Sequence, residues 1–230
     1  MFRFNCKPIA LGLAGMAAML FFKINKASAQ DVVWKLNNIN QIGNAQTEVL
    51  GKPEVTHKDG HTAIAFNGAN DGLVLPHFPI EGWSKFTIEV LFRPDGDGPV
   101  QPRFVHFQDK DNNRGTFEIR LTPQKMWYMD TFLRNGKTTD KGLTLIDSTL
   151  QHPADRWYWV AMVFDGQNMT SYVNGVKEKT GISNFPTMDA SAQVALGVRL
   201  NKVNWFKGQI SEIRFHHEVL SAEALQKVKE

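Results

Sequence analysis

Glu118 and Arg120 stand two residues apart in Thr116-Phe-Glu-Ile-Arg-Leu, where polar and apolar residues alternate. Residues i and i+2 of an extended strand share a face, so this spacing sets a carboxylate beside a guanidinium. Phe86-Thr-Ile-Glu-Val-Leu-Phe-Arg repeats the pattern, with Glu89 and Arg93 on the polar side. Arg103-Phe-Val-His-Phe-Gln contributes His106, and Lys125-Met-Trp-Tyr contributes Trp127 and Tyr128. If these stretches pair in one sheet, Glu89, Arg93, His106, Glu118, Arg120, Trp127 and Tyr128 converge on a groove. Their chemistry is that of holding a sugar: polar side chains bond hydroxyls, and aromatic rings stack on its C–H faces. The competing reading is a solvated sheet face on which opposite charges pair with one another.

Other chemistries lack their residues. The seven histidines show no His-x-His or His-Glu-x-x-His spacing, and His216-His217 point to opposite sides of a strand. Asp109-Lys-Asp-Asn-Asn opens like a calcium loop. It then has Arg114 at the sixth position and Arg120 at the twelfth, where that loop needs Gly and Glu. It is read as a polar hairpin tip. No Gly-x-Ser-x-Gly elbow and no phosphate-cradling loop is present. Of the six tryptophans, Trp127 and Trp205 sit near turns and are the better stacking candidates.

The single cysteine, Cys6, falls in an N-terminal segment with the marks of an export signal. Arg3 and Lys7 precede an apolar run from Pro8 to Phe22, and Ala27-Ser28-Ala29 is a small-x-small cleavage site. The run is shorter than the ~20 apolar residues of a membrane span. Residues 1–29 are therefore expected to be a signal peptide, and 30–230 a single secreted or periplasmic domain, not embedded in the membrane. Removing the leader takes four basic residues and no acid from the 26 basic and 23 acidic residues of the whole chain. The basic balance thus belongs to the leader, and no basic stripe argues for nucleic-acid binding.

The elements that must position these residues are strands. Stretches at 62–66, 72–75, 86–93, 103–108, 116–121, 125–132, 157–164, 170–173, 193–199 and 210–216 read as strands. Turn pairs such as Asp59-Gly60 and Asn174-Gly175 punctuate them and tolerate the positive φ of type I′ hairpins. The strands at 86–93 and 116–121 suit a sheet packed on one side and wet on the other. The stretch at 157–164 is apolar on both faces and is expected to run centrally. One short helix is expected after Ser221, its N-cap.

The order of motifs then carries a resemblance. Ala65-Phe-Asn-Gly-Ala-Asn-Asp-Gly-Leu-Val-Leu-Pro, Trp157-Tyr-Trp-Val-Ala-Met-Val-Phe-Asp-Gly, Thr170-Ser-Tyr-Val-Asn-Gly and Phe206-Lys-Gly-Gln-Ile-Ser-Glu-Ile-Arg-Phe follow one another. Together they resemble the laminin-G-like branch of the concanavalin A-like lectin/glucanase superfamily. The resemblance implies an all-β, two-sheet antiparallel sandwich, a jelly roll, with Trp157 packing its core. It does not fix a function, because the fold hosts binders and enzymes alike. Relatives with a calcium ion carry Asp where this chain has Ser211, a far poorer ligand for a hard cation. No cofactor is therefore expected, and calcium is disfavoured. The glucanases' Glu-x-Asp-x-Glu strand is absent. Jelly-roll lyases place Arg, Gln, His and Tyr on a concave sheet, and Arg93, His106, Gln108, Arg120 and Tyr128 are the counterparts here, without the lyases' own motifs. The expectation is an exported, non-catalytic module that binds carbohydrate or a cell-surface glycan. The alternative is a polysaccharide lyase or glycoside hydrolase, and a third reading is an adhesion or assembly module with an apolar patch.

Overall fold

The computed structural model describes residues 1–2 and 31–228, so the apolar run and cleavage site of the leader lie outside the described residues. Eighteen strands follow one another. The first seven are β1 (Val32–Lys35), β2 (Gln41–Ile42), β3 (Ala45–Gln46), β4 (Glu48–Leu50), β5 (Glu54–Lys58), β6 (His61–Asn67) and β7 (Gly72–Leu75). The middle of the chain forms β8 (Phe86–Pro94), β9 (Arg103–Gln108), β10 (Arg114–Leu121), β11 (Met126–Arg134), β12 (Leu143–Ile146) and β13 (His152–Pro153). Last come β14 (Tyr158–Phe164), β15 (Asn168–Val173), β16 (Val176–Ile182), β17 (Gln193–Leu196) and β18 (Lys207–His216).

These strands form two large antiparallel sheets packed as a sandwich, and β2 and β3 make a small separate hairpin. The first sheet runs β16-β15-β14-β8-β18-β6-β5, with β1 on β18. The second runs β12-β11-β10-β9-β17-β7-β4, with β13 on β11. Period-two alternation directs one side of each sheet inward. Phe86, Ile88, Val90 and Phe92 of β8 are fully buried, as are Phe117 of β10 and Phe104 and Phe107 of β9. Phe92 stacks on Phe104 across the sandwich at 4.3 Å between centroids. Two expected hairpins have type I′ geometry: Asp59 and Gly60 lie at φ 50° and 80°, and Asn174 and Gly175 at 46° and 72°.

Three expectations are corrected. Among the described residues there is no α-helix. The N–H groups of Ala224 and Leu225 both bond the Ser221 carbonyl, and the chain then leaves the turn. It leaves because the outer face of the first sheet buries Leu225 beside Ala161 and Val163, and Val228 beside Leu91 and Trp159. For the same reason the polar side of β8 is not wet: every residue of that strand is buried. Trp157, expected in the core, belongs instead to the smaller cluster with Ala63, Leu91 and Trp159 outside the first sheet. The central position of the 157–164 stretch is observed, with β14 between β15 and β8.

One lateral side of the sandwich is sewn shut. The last strand of the first sheet, β16, lies along β12 of the second. Lys179 Nζ donates to the Ile146 carbonyl at 2.9 Å, and Glu178 meets His152 Nε2 at 2.6 Å.

Candidate functional site

Among the described residues no tail crosses the outer face of the second sheet. Antiparallel register sets Thr116 of β10 opposite His106 of β9 and Phe132 of β11, Glu118 opposite Arg103 and Asp130, and Arg120 opposite Tyr128. A β-bulge between β9 and β10 turns both Phe104 and Val105 inward, leaving Arg103 and His106 on the outer side. A cleft of ≈ 210 Å³ opens there, with Arg103, Glu118, Arg120 and Asp130 at one end and Arg114, Phe132 and Arg199 along it.

The floor of the cleft is an ion-pair network. Arg103 Nε lies 2.5 Å from Glu118 Oε2. Arg120 Nη2 touches both Glu118 Oε1, at 3.0 Å, and Asp130 Oδ2, while its Nε donates to Asp130 at 2.6 Å. Burial pushes the Glu118 carboxyl above its ordinary range. The adjoining Asp130 adds to this, while Arg103 and Arg120 oppose it. The physical cause is that a carboxyl held beside a second one in a dry setting gives up its proton less readily.

His106 is buried, and neither ring nitrogen has a hydrogen-bond partner among the described residues. Burial, then the charges of Arg199, Arg114 and Arg103, lower its pKa from 6.5 to about 3. It is therefore a neutral imidazole at ordinary pH, with one donor and one acceptor unused. Arg103 Nη1 is likewise buried without a partner among the described residues.

Four of the seven candidate residues, His106, Glu118, Arg120 and Tyr128, share this face. The other three do not, so the expected single groove is corrected. Glu89 and Arg93 belong to the first sheet, on the opposite side of the molecule. There Glu89 accepts the Gln226 N–H at 2.7 Å and pairs with His216 at 3.0 Å, fastening the tail. Arg93 bonds Asp95 at 2.7 Å. Trp127 points inward and is fully buried, edge-on to Phe92 and Tyr158. Proximity to a turn suggested exposure, but the parity of Trp127, Met129 and Leu133 assigns it to the core. Trp205 is half-buried in the loop before β18.

Arg103, Arg114, Asp130 and Arg199 were not singled out from the sequence. Asp130 shares the parity of Tyr128, so alternation held a signal for it, whereas Arg103 shares the parity of the inward Val105 and Phe107 and reaches the outer side only through the β-bulge. Arg199 follows β17 in a loop and has no periodic signal. Among the described residues no group of three or more His, Cys, Asp or Glu is placed to hold a metal ion. Ser211, at the calcium-associated position, donates its hydroxyl to the Thr62 carbonyl at 2.7 Å. Asp109 closes its hairpin tip by accepting the N–H groups of Asp111 and Asn113, both at 3.0 Å.

No curated protein matches the chain. Among solved structures it is similar to domain 4 of a GH43 extracellular arabinanase from Geobacillus stearothermophilus in complex with arabinotriose. Identity is 22%, the TM-score is 0.50, and the match covers 85% of this chain and 86% of that one. It is also similar to the binding domain of botulinum neurotoxin serotype D, at 13% identity and TM-score 0.62, covering 84% of this chain and 49% of that one. The binding domain of botulinum neurotoxin DC in complex with SialylT gives 13% identity, TM-score 0.61 and the same coverage. The chain thus spans about half the length of these toxin domains, and at such identities the likeness is one of fold. Residues 67–226, from the end of β6 to the tail over the first sheet, match a laminin G family model, and the chain belongs to the concanavalin A-like lectin/glucanases superfamily.

Proposed function

We propose that this protein is an exported, non-catalytic binding module whose ligand is a carbohydrate lying across the outer face of the second sheet. One observation carries the reading: hydrogen-bonding capacity on this face is left unused among the described residues, on Arg103 Nη1 in the cleft and on both nitrogens of His106, buried in the same sheet face. Buried polar groups without partners are costly, and sugar hydroxyls supply both donors and acceptors. The half-buried ring of Tyr128, next to Arg120 in register, offers a stacking surface. The complexes named for two similar structures, with arabinotriose and with SialylT, support carbohydrate as the ligand class.

The carboxyls argue for binding over hydrolysis. Glu118 and Asp130 are bridged by one guanidinium nitrogen and held by arginines. A hydrolase needs its two carboxyls on either side of a scissile bond, one of them free to attack or to activate water. A lyase is the second reading, because His106 lies among arginines that would steady a uronate carboxylate. Its lowered pKa makes it a weak base for that task.

The test is a glycan array probed with the purified protein, followed by product assays on every hit. The expected result is retention of a glycan, weakened in Tyr128→Ala and Arg120→Ala, with no product released. Unsaturated products that disappear in His106→Ala would establish the lyase instead. Export is tested by sequencing the N-terminus of protein from the native host, which is expected to begin at Gln30. An intact Met1 on membrane-bound protein would mean an anchor.

A further inference from the structure

The charges of the cleft do not balance. Glu118 and Asp130 are taken up by Arg103 and Arg120. Arg114 and Arg199 remain, with Arg134 beside Arg114 outside the lining, and among the described residues none of the three has a carboxylate partner within salt-bridge distance. Arg114 and Arg134 are direct cross-strand neighbours, a pairing of like charges that destabilises a sheet. Burial, followed by the charges of Arg199, Arg134 and Arg103, lowers the Arg114 pKa. The Arg114 guanidinium is held over the Phe132 ring at 5.4 Å, which orients it and supplies no counter-charge. Arg134 Nε is buried without a partner among the described residues, as are both nitrogens of His106. A cationic cluster that repels itself in this way is set to take up an anion. A guanidinium fork matches the planar geometry of a carboxylate and also grips a sulfate.

We propose that the cleft binds a saccharide bearing an anionic group, held by Arg114 and Arg199. This rests on the carbohydrate reading and deepens it: the ligand class is the acidic glycan. The anion is shared by two sources, the carboxylate of a uronate and the sulfate ester of a sulfated sugar, which the experiment separates.

The experiment is calorimetric titration of the purified protein with oligogalacturonate, with a sulfated glycosaminoglycan oligosaccharide, with neutral arabino-oligosaccharides and with inorganic sulfate. At least one acidic saccharide is expected to bind about tenfold or more tighter than the neutral one, a difference of roughly 1.4 kcal/mol, and to weaken as salt is raised. R114Q and R199Q should each lose about tenfold in affinity for it, R199K less. R156Q, which removes the same charge outside the cleft, should change nothing. Because R114Q relieves repulsion, its melting temperature should hold or rise, so weakened binding cannot be ascribed to unfolding. A clear fall in melting temperature would show a structural arginine and overturn the proposal. Neutral saccharides binding as tightly as acidic ones would overturn it while leaving the carbohydrate reading intact. Sulfate bound without any saccharide, or no binding at all, would overturn both.

Discussion

His106 and Glu118 lie on adjacent strands of one face, and burial moves them in opposite directions on the pH scale. His106, facing Arg103, Arg114 and Arg199, is held neutral by burial and by these charges, with its pKa lowered to about 3. A depressed folded value means that its contribution to stability is present above the unfolded value near 6.5 and is lost as pH falls toward 3. Glu118, facing Asp130, Arg103 and Arg120, is raised above 4.5. Its contribution is present below that unfolded value and is lost as pH rises through the folded one. Denaturation midpoints across pH should therefore fall on both sides. Glu118→Gln should flatten the alkaline side, and His106→Gln the acid side, where the loss is on the order of a few kcal/mol. Unchanged limbs in both variants would count against this assignment. Trp127 and Tyr128, neighbours in sequence on opposite faces of β11, should part sharply. Trp127→Ala, emptying a fully buried site, should cost ~3–5 kcal/mol in urea denaturation. Tyr128→Ala should cost about 1 kcal/mol or less.

At the scale of elements, the decisive feature is the tail at 219–228, tied across the first sheet. Leu220 N–H bonds Thr87 Oγ1 at 3.0 Å, and Gln226 N–H bonds Glu89. Burial opposes charging of His216, yet Glu89 and Asp31 together hold its pKa above the usual value. Glu89→Ala strips a partner from both His216 and the Gln226 amide. It should cost ~3–5 kcal/mol and accelerate hydrogen exchange at 220–228; an unchanged exchange pattern would mean the apolar contacts alone hold the tail. This element also marks where the sequence was legible and where it was not. Alternation in β8 and β10 assigned their inward faces correctly, because period two survives whatever covers the outer side. The cover itself was not legible, since Thr87, Glu89 and Arg93 are the same residues whether they meet water or a returning tail. The partition of strands between sheets, which separated Glu89 and Arg93 from Glu118 and Arg120, depends on pairings between distant segments that no local pattern encodes. Strands β5 and β16 also escaped notice: both are edge strands with largely exposed, lysine-bearing sequences and no apolar face to betray them.

For the molecule as a whole, the two flat faces are unlike: one is closed by the chain itself and the other is polar and open. The two lateral sides differ as well. Where β16 meets β12, the ties from Glu178 and Lys179 close the side. On the far side β5 ends the first sheet and β4 the second, and both are short and exposed. Unpaired strand edges are templates for a second chain, and charge and shortness are what discourage it. Growth into filaments thus begins on that side, along β4 or along Glu54–Lys58, where Glu54, His57 and Lys58 stand guard. Cutting the ties with Glu178→Ala and Lys179→Ala would open a second side. Copies joined through both edges would extend in line, so light scattering should rise with time and concentration in this double variant beyond that of the parent, and an equal signal from both would show that the seam has no part in keeping copies apart.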